Sequence, residues 1–73
     1  IEFLYKDDPD LLAYRRWDET GELLVLCNLT AHDAPVALPQ GWQNAGVLLG
    51  NYPDGAPGAS LRPYEALVLE RRV

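Results

Sequence analysis

The residues equipped for chemistry are few and poorly assembled. Three aspartates crowd Lys6-Asp7-Asp8-Pro9-Asp10, and oxygen clusters of this kind can bind calcium. The spacing is not that of an EF-hand loop, whose glycine and terminal glutamate are both missing. Proline and aspartate favour turns, so the segment reads as a solvated turn. Asp18-Glu19-Thr20-Gly21-Glu22 reads as a second polar turn, with Gly21 supplying a positive φ. A glycosidase dyad needs two carboxylates facing each other across a cleft. A chain of 73 residues has little room for one. Cys27 is the only cysteine and His32 the only histidine, which excludes an internal disulfide and a zinc site resting on that pair. No third group completes a Ser-His-Asp or Cys-His set. Gly55 and Gly58 are separated by Pro57 and lead into no helix, so they form no phosphate cradle. We therefore assign no catalytic, cofactor-binding or metal-ligating residue.

Two other groups of residues point to surfaces rather than reactions. Asn28-Leu29-Thr30 fits the N-glycosylation sequon. Asn28 also ends an apolar run, where its amide is expected to bond to a neighbouring loop instead. Among the aromatics, Trp17 and Trp42 lie near turns and are candidate sugar-stacking residues, since aromatic faces pair with apolar ring faces. Tyr14 and Tyr64 fall on presumed core faces.

The elements that must position these residues are strands. Ile1 to Tyr5 alternates loosely, and Leu11 to Trp17 makes a second strand. Leu23 to Leu29 is apolar without alternation, as expected of a central strand buried on both faces. Val36-Ala37-Leu38 reads as a short edge strand between prolines, and Gly46 to Asn51 as another. Tyr52 to Ser60 is a Pro/Gly loop feeding the last strand, which Pro63 opens and which runs from Tyr64 to Glu70. In that strand Tyr64, Ala66 and Val68 are expected to face the core. Leu67 and Leu69, joined by Leu24 or Leu26, are expected on an open apolar face that meets a partner and drives self-association of the isolated chain. No stretch of ten or more residues holds a 3.6-residue period. The fold class that follows is all-β, a small antiparallel Greek-key β-sandwich forming a single domain over residues 1–73.

Composition narrows the partners. The net charge of −5 argues against nucleic acid and anionic membranes, both of which need clustered Lys and Arg. No signal peptide or membrane span is visible. A small domain without disulfides leans toward a reducing, cytoplasmic setting. The sequence has no methionine and starts with Ile1-Glu2-Phe3, so a piece of a larger protein is expected.

Four segments in order carry a resemblance: Leu11-Leu12-Ala13-Tyr14-Arg15-Arg16, Leu23 to Thr30, Leu48-Leu49-Gly50-Asn51-Tyr52, and Leu61-Arg62-Pro63-Tyr64-Glu65-Ala66. Together they resemble the C-terminal β-domain of α-glucosidases of the α-amylase clan, in the oligo-1,6-glucosidase and trehalose-6-phosphate hydrolase branch. The resemblance implies a sandwich packed on a catalytic (β/α)8 barrel of the same chain. It implies a parent enzyme that hydrolyses short α-glucosides, with its catalytic carboxylates on the barrel. No position here matches those motifs. The resemblance implies no cofactor for this domain, and any structural calcium would belong to the barrel. The expected role is that of a non-catalytic accessory domain. A carbohydrate-binding module using Trp17 and Trp42, or an immunoglobulin-like adhesion domain, are the alternatives.

Overall fold

Residues 1–72 are described by a computed structural model. It contains seven strands and, among the described residues, no helix. The strands are β1 (Glu2–Leu4), β2 (Leu11–Trp17), β3 (Gly21–Asn28), β4 (Ala34–Pro35), β5 (Gly46–Gly50), β6 (Ser60–Leu61) and β7 (Ala66–Arg72). Five of them form one antiparallel sheet in the order β1-β2-β3-β7-β5, and β4 pairs with β6 in a second, two-stranded sheet. The fold is all-β and antiparallel, as the turn-punctuated short runs require. The chain meanders through β1, β2 and β3 and then alternates between the sheets, with β4 and β6 in the small one and β5 and β7 in the large one, so that its last strand lies between β3 and β5.

The core lies between the large sheet and a lid made of the small sheet and the 36–45 segment. Leu11 and Ala13 of β2, Leu24 and Leu26 of β3, and Leu67 and Leu69 of β7 meet Ala34, Val36, Trp42 and Leu61 from the lid. Leu24, Leu26, Leu67 and Leu69 are at most 1% exposed. Burying each such side chain contributes about 1.5–3 kcal/mol, so these residues form the energetic centre of the domain.

This corrects the expected assignment of faces. The four leucines do share one face, with Leu24 opposite Leu69 and Leu26 opposite Leu67. That face is the chain's own interior, not an open surface awaiting a partner. The physical reason is volume. In β7 the Leu67/Leu69 side is bulkier than the Ala66/Val68 side, and the bulkier side contributes more when buried. Correspondingly Ala66 and Val68 are half-buried on the other side, Tyr14 is half-buried there, and Tyr64 is exposed. β3 is likewise not equally buried on both faces, because Leu23, Val25 and Cys27 are only half-buried.

Trp42 is also corrected. It is 1% exposed, packed in the core with the Arg71 guanidinium 4.3 Å from its ring centroid, so it offers no sugar-stacking face. Gly41 makes this possible. Its φ of 91° is left-handed, and a Cβ there would lie 2.5 Å from Arg71 Nη1. Gly21, expected to need a positive φ, has none. Its requirement is close approach, since a Cβ would lie 2.9 Å from the Arg71 carbonyl oxygen.

Several boundaries also move. The short strand after His32 is Ala34–Pro35, not 36–38, and Val36 instead donates from its backbone to the Ala59 carbonyl. Pro63 does not open β7 but sits in a turn closed by Glu65 N–H donating to Arg62 O.

Candidate interaction face

With one face of the large sheet sealed by the lid, the other stands open, and the register shows what it carries. Phe3 lies opposite Tyr14, Tyr14 opposite Val25, Val25 opposite Val68, and Val68 opposite Leu49. Directly opposed residues point to the same side of a sheet. An apolar row therefore crosses all five strands. A second row, Leu12–Cys27–Ala66, runs beside it. Phe3, Leu12 and Leu49 are exposed. The Phe3 and Tyr14 rings sit 5.8 Å apart in a tilted pair. On the far side of the main row the residues turn charged, with Arg16, Leu23 and Glu70 in register. Burial raises the Cys27 thiol above its usual range, so the cysteine is a small apolar group of this face and not an activated nucleophile.

A polar cluster braces the turn that leads into β7. Arg62 reaches Glu65 through Nη2 to Oε2 at 3.0 Å and through its backbone N–H to Oε1 at 2.9 Å. Arg62 Nη1 also donates to Asp54 at 2.8 Å, and its guanidinium stacks 4.1 Å above the Tyr52 ring. Glu65 is 3% exposed. The hydrogen bonds from Arg62 hold its carboxyl below the usual range despite the opposing effect of desolvation. Asn28 closes the other side. Its amide donates to the carbonyls of His32 at 2.7 Å and Arg62 at 2.9 Å, while its Oδ1 accepts from Thr30. Asn28 is buried and its nitrogen is engaged by neighbouring loops, as expected, which leaves the sequon without an accessible acceptor.

At the opposite end a chain of ion pairs runs across the core side. Glu2 pairs with Arg15 at 3.1 Å, Arg15 with Glu22 at 2.9 Å, and Glu22 with Arg71 at 3.0 Å. Trp17 lies here, 53% exposed, with the Arg15 guanidinium 4.7 Å from its ring centroid. The aspartates of the two turns bond locally: Asp8 accepts from Asp10 N–H, and Asp18 from Thr20 and Gly21. Among the described residues no group of three or more His, Cys, Asp or Glu is placed to hold a metal ion. Likewise no helix among them is long and apolar enough to cross a membrane.

Comparison with known proteins shows what the chain resembles. The chain is 40% identical to the oligo-1,6-glucosidase of Heyndrickxia coagulans, over 92% of its own length and 12% of that enzyme's. It is 38% identical to the trehalose-6-phosphate hydrolase of Bacillus subtilis (strain 168), over 92% of its own length and 13% of that enzyme's. The crystal structure of trehalose-6-phosphate hydrolase from Bacillus licheniformis superimposes with a TM-score of 0.74 at 25% identity, covering 94% of this chain and 14% of that one. The chain is similar to one segment of these α-glucosidase-type enzymes. No family model matches it. This β-domain spans only 12–13% of the length of the curated relatives it matches. The four segments that carry the resemblance include β2, β3 and the 61–66 turn, the elements that build the open face and its bracing.

Sequence reasoning grouped the right leucines and turned them the wrong way. It missed Phe3, Leu12, Tyr14, Val25, Cys27, Leu49 and Val68 as members of the open face. The available signal was the unequal volume of the two sides of β7. It did not foresee the Arg62–Glu65 bracing, although Leu61 to Ala66 was already the most informative segment.

Proposed function

We propose that this chain is the C-terminal, non-catalytic β-domain of a retaining α-glucosidase, and that it stabilises the enzyme by docking its open sheet face on the catalytic (β/α)8 barrel. The observation that carries the reading is the apolar row Phe3–Tyr14–Val25–Val68–Leu49 on a domain that matches 12–14% of its relatives' lengths. A face of that composition is favourably removed from water at about 25 cal/mol per Å² of apolar area. The occupant is taken to be the same polypeptide, because most of each relative lies outside the region matched here. The substrates would be short α-glucosides, acted on at the barrel. The setting would be cytoplasmic, consistent with one unpaired thiol and no disulfide. A carbohydrate-binding role is less well supported, since Trp42 is buried and Trp17 alone, with Arg15 over its ring, makes no platform.

The test uses the full-length enzyme. It should hydrolyse aryl α-glucosides, and Val68→Lys should make it inactivate several-fold faster on heating. Absence of glucosidase activity, or a Val68→Lys enzyme as heat-stable as the parent, would overturn the proposal.

A further inference from the structure

We propose that Tyr64 is an anchor residue through which this domain grips the catalytic domain of its enzyme, its ring seated in an apolar pocket there. This rests on the docking reading above. Two tyrosines in the chain hold left-handed backbone, Tyr5 at φ 53° and Tyr64 at φ 52°. That conformation is disfavoured for a bulky L-residue and persists only where the surroundings over-determine it. Tyr5 finds its compensation inside the domain. It is half-buried against the core, and its hydroxyl donates to the Ala37 carbonyl. Tyr64 finds none there. It is 61% exposed, and among the described residues neither its ring nor its hydroxyl has a stacking or hydrogen-bonding partner.

Its backbone, by contrast, is clamped. Tyr64 N–H donates to Thr30 O at 2.9 Å, and its carbonyl accepts from Asn51 Nδ2 at 2.8 Å. On one side the Pro63 carbonyl accepts from the Tyr52 hydroxyl at 2.7 Å. On the other, Ala66 N–H donates to Asn51 Oδ1 at 2.8 Å. The domain thus commits two polar side chains, Asn51 and Tyr52, and an unfavourable φ to presenting one exposed aromatic ring. A fixed aromatic with few rotatable bonds loses little entropy on docking, which is the profile of an interface hot spot. Tyr64 lies two residues before Ala66, in the turn that leads into β7, at the end of the sheet where the row Leu12–Cys27–Ala66 lies.

Cys27, on that face, reports docking in the full-length enzyme through its alkylation rate, read on its own peptide by mass spectrometry. In the parent enzyme it should be protected. Tyr64→Gly and Tyr64→Asn, both tolerant of left-handed backbone, should each speed its alkylation about tenfold, while the amides of β3 stay protected from hydrogen exchange. Protection of Cys27 that neither variant changes would overturn the role of Tyr64 and leave the docked face standing. Free alkylation of Cys27 in the parent enzyme would overturn both. If both variants unfold β3, Tyr64 is a structural residue of the domain and the proposal fails.

Discussion

At the scale of single residues, Glu65 is the most consequential polar group. It is a carboxylate almost wholly buried, and its partner Arg62 is itself held by Asp54 and Tyr52. Hydrogen bonds from Arg62 lower its pKa in the folded state, so the unfolded chain binds the proton more readily. The stability this contributes is therefore fully present above the ordinary glutamate value of about 4.3 and is lost as the pH falls through the lower folded value. Asp54 is shifted in the same direction by Arg62 and adds to the same limb. Denaturation midpoints measured from pH 6 down to pH 3 should fall steeply for the parent. Glu65→Gln should start from a lower midpoint at pH 6 and fall less steeply. An unchanged acid slope in the variant would show that Glu65 is not the titrating group.

At the scale of elements, the two sides of β3 are the informative comparison. Leu24 and Val25 are neighbours in sequence, both are apolar, and they face opposite ways. Leu24→Ala opens a cavity among Leu69, Trp42 and their neighbours and should cost about 2–5 kcal/mol. Val25→Thr, on the open face, should change the stability of the domain itself by no more than about 0.5 kcal/mol. Urea denaturation followed by tryptophan fluorescence distinguishes the two. Equal losses at both positions would mean that the lid and open-face assignments are wrong. β5 shows a different compromise. All five of its residues are exposed, and it pairs with β7 across a bulge between Val47 and Leu49. A bulge bends an edge strand and interrupts its ladder, which discourages pairing with another sheet edge.

At the scale of the whole molecule, the net charge of −5 and the apolar row act against each other. Like charge keeps copies apart, while an uncovered sheet face draws them together. In the 73-residue chain by itself the apolar face should prevail, giving concentration-dependent self-association through Val25 and Val68 and not through the interior leucines. Sedimentation at rising concentration should show a heavier species that the double change Val25→Lys and Val68→Lys removes. A strictly monomeric parent at millimolar concentration would count against the open face as a docking surface.

What the sequence determined by itself was the element type and the grouping. Short apolar runs divided by Pro, Gly and Asp leave no room for a helical period, so strands follow from local chemistry alone. Side-chain alternation has a period of two, so Leu67 and Leu69 had to share a face, as did Leu24 and Leu26, whatever lay around them. The buried bonding of Asn28 was also legible, because a polar amide at the end of an apolar strand must find carbonyl partners. Which face pointed inward was decided by the tertiary structure. Alternation is symmetric with respect to inside and outside, and in β3 both faces are apolar, so no polar side marks the solvent. The choice was made by the lid, when Ala34, Val36, Trp42 and Leu61 closed over the leucine side. The row across five strands was equally invisible, since it depends on the register of β7 against both β3 and β5, strands distant from one another in the chain. The clamp around Tyr64 joins Thr30, Asn51, Tyr52 and Pro63, which only the folded chain brings within hydrogen-bonding reach.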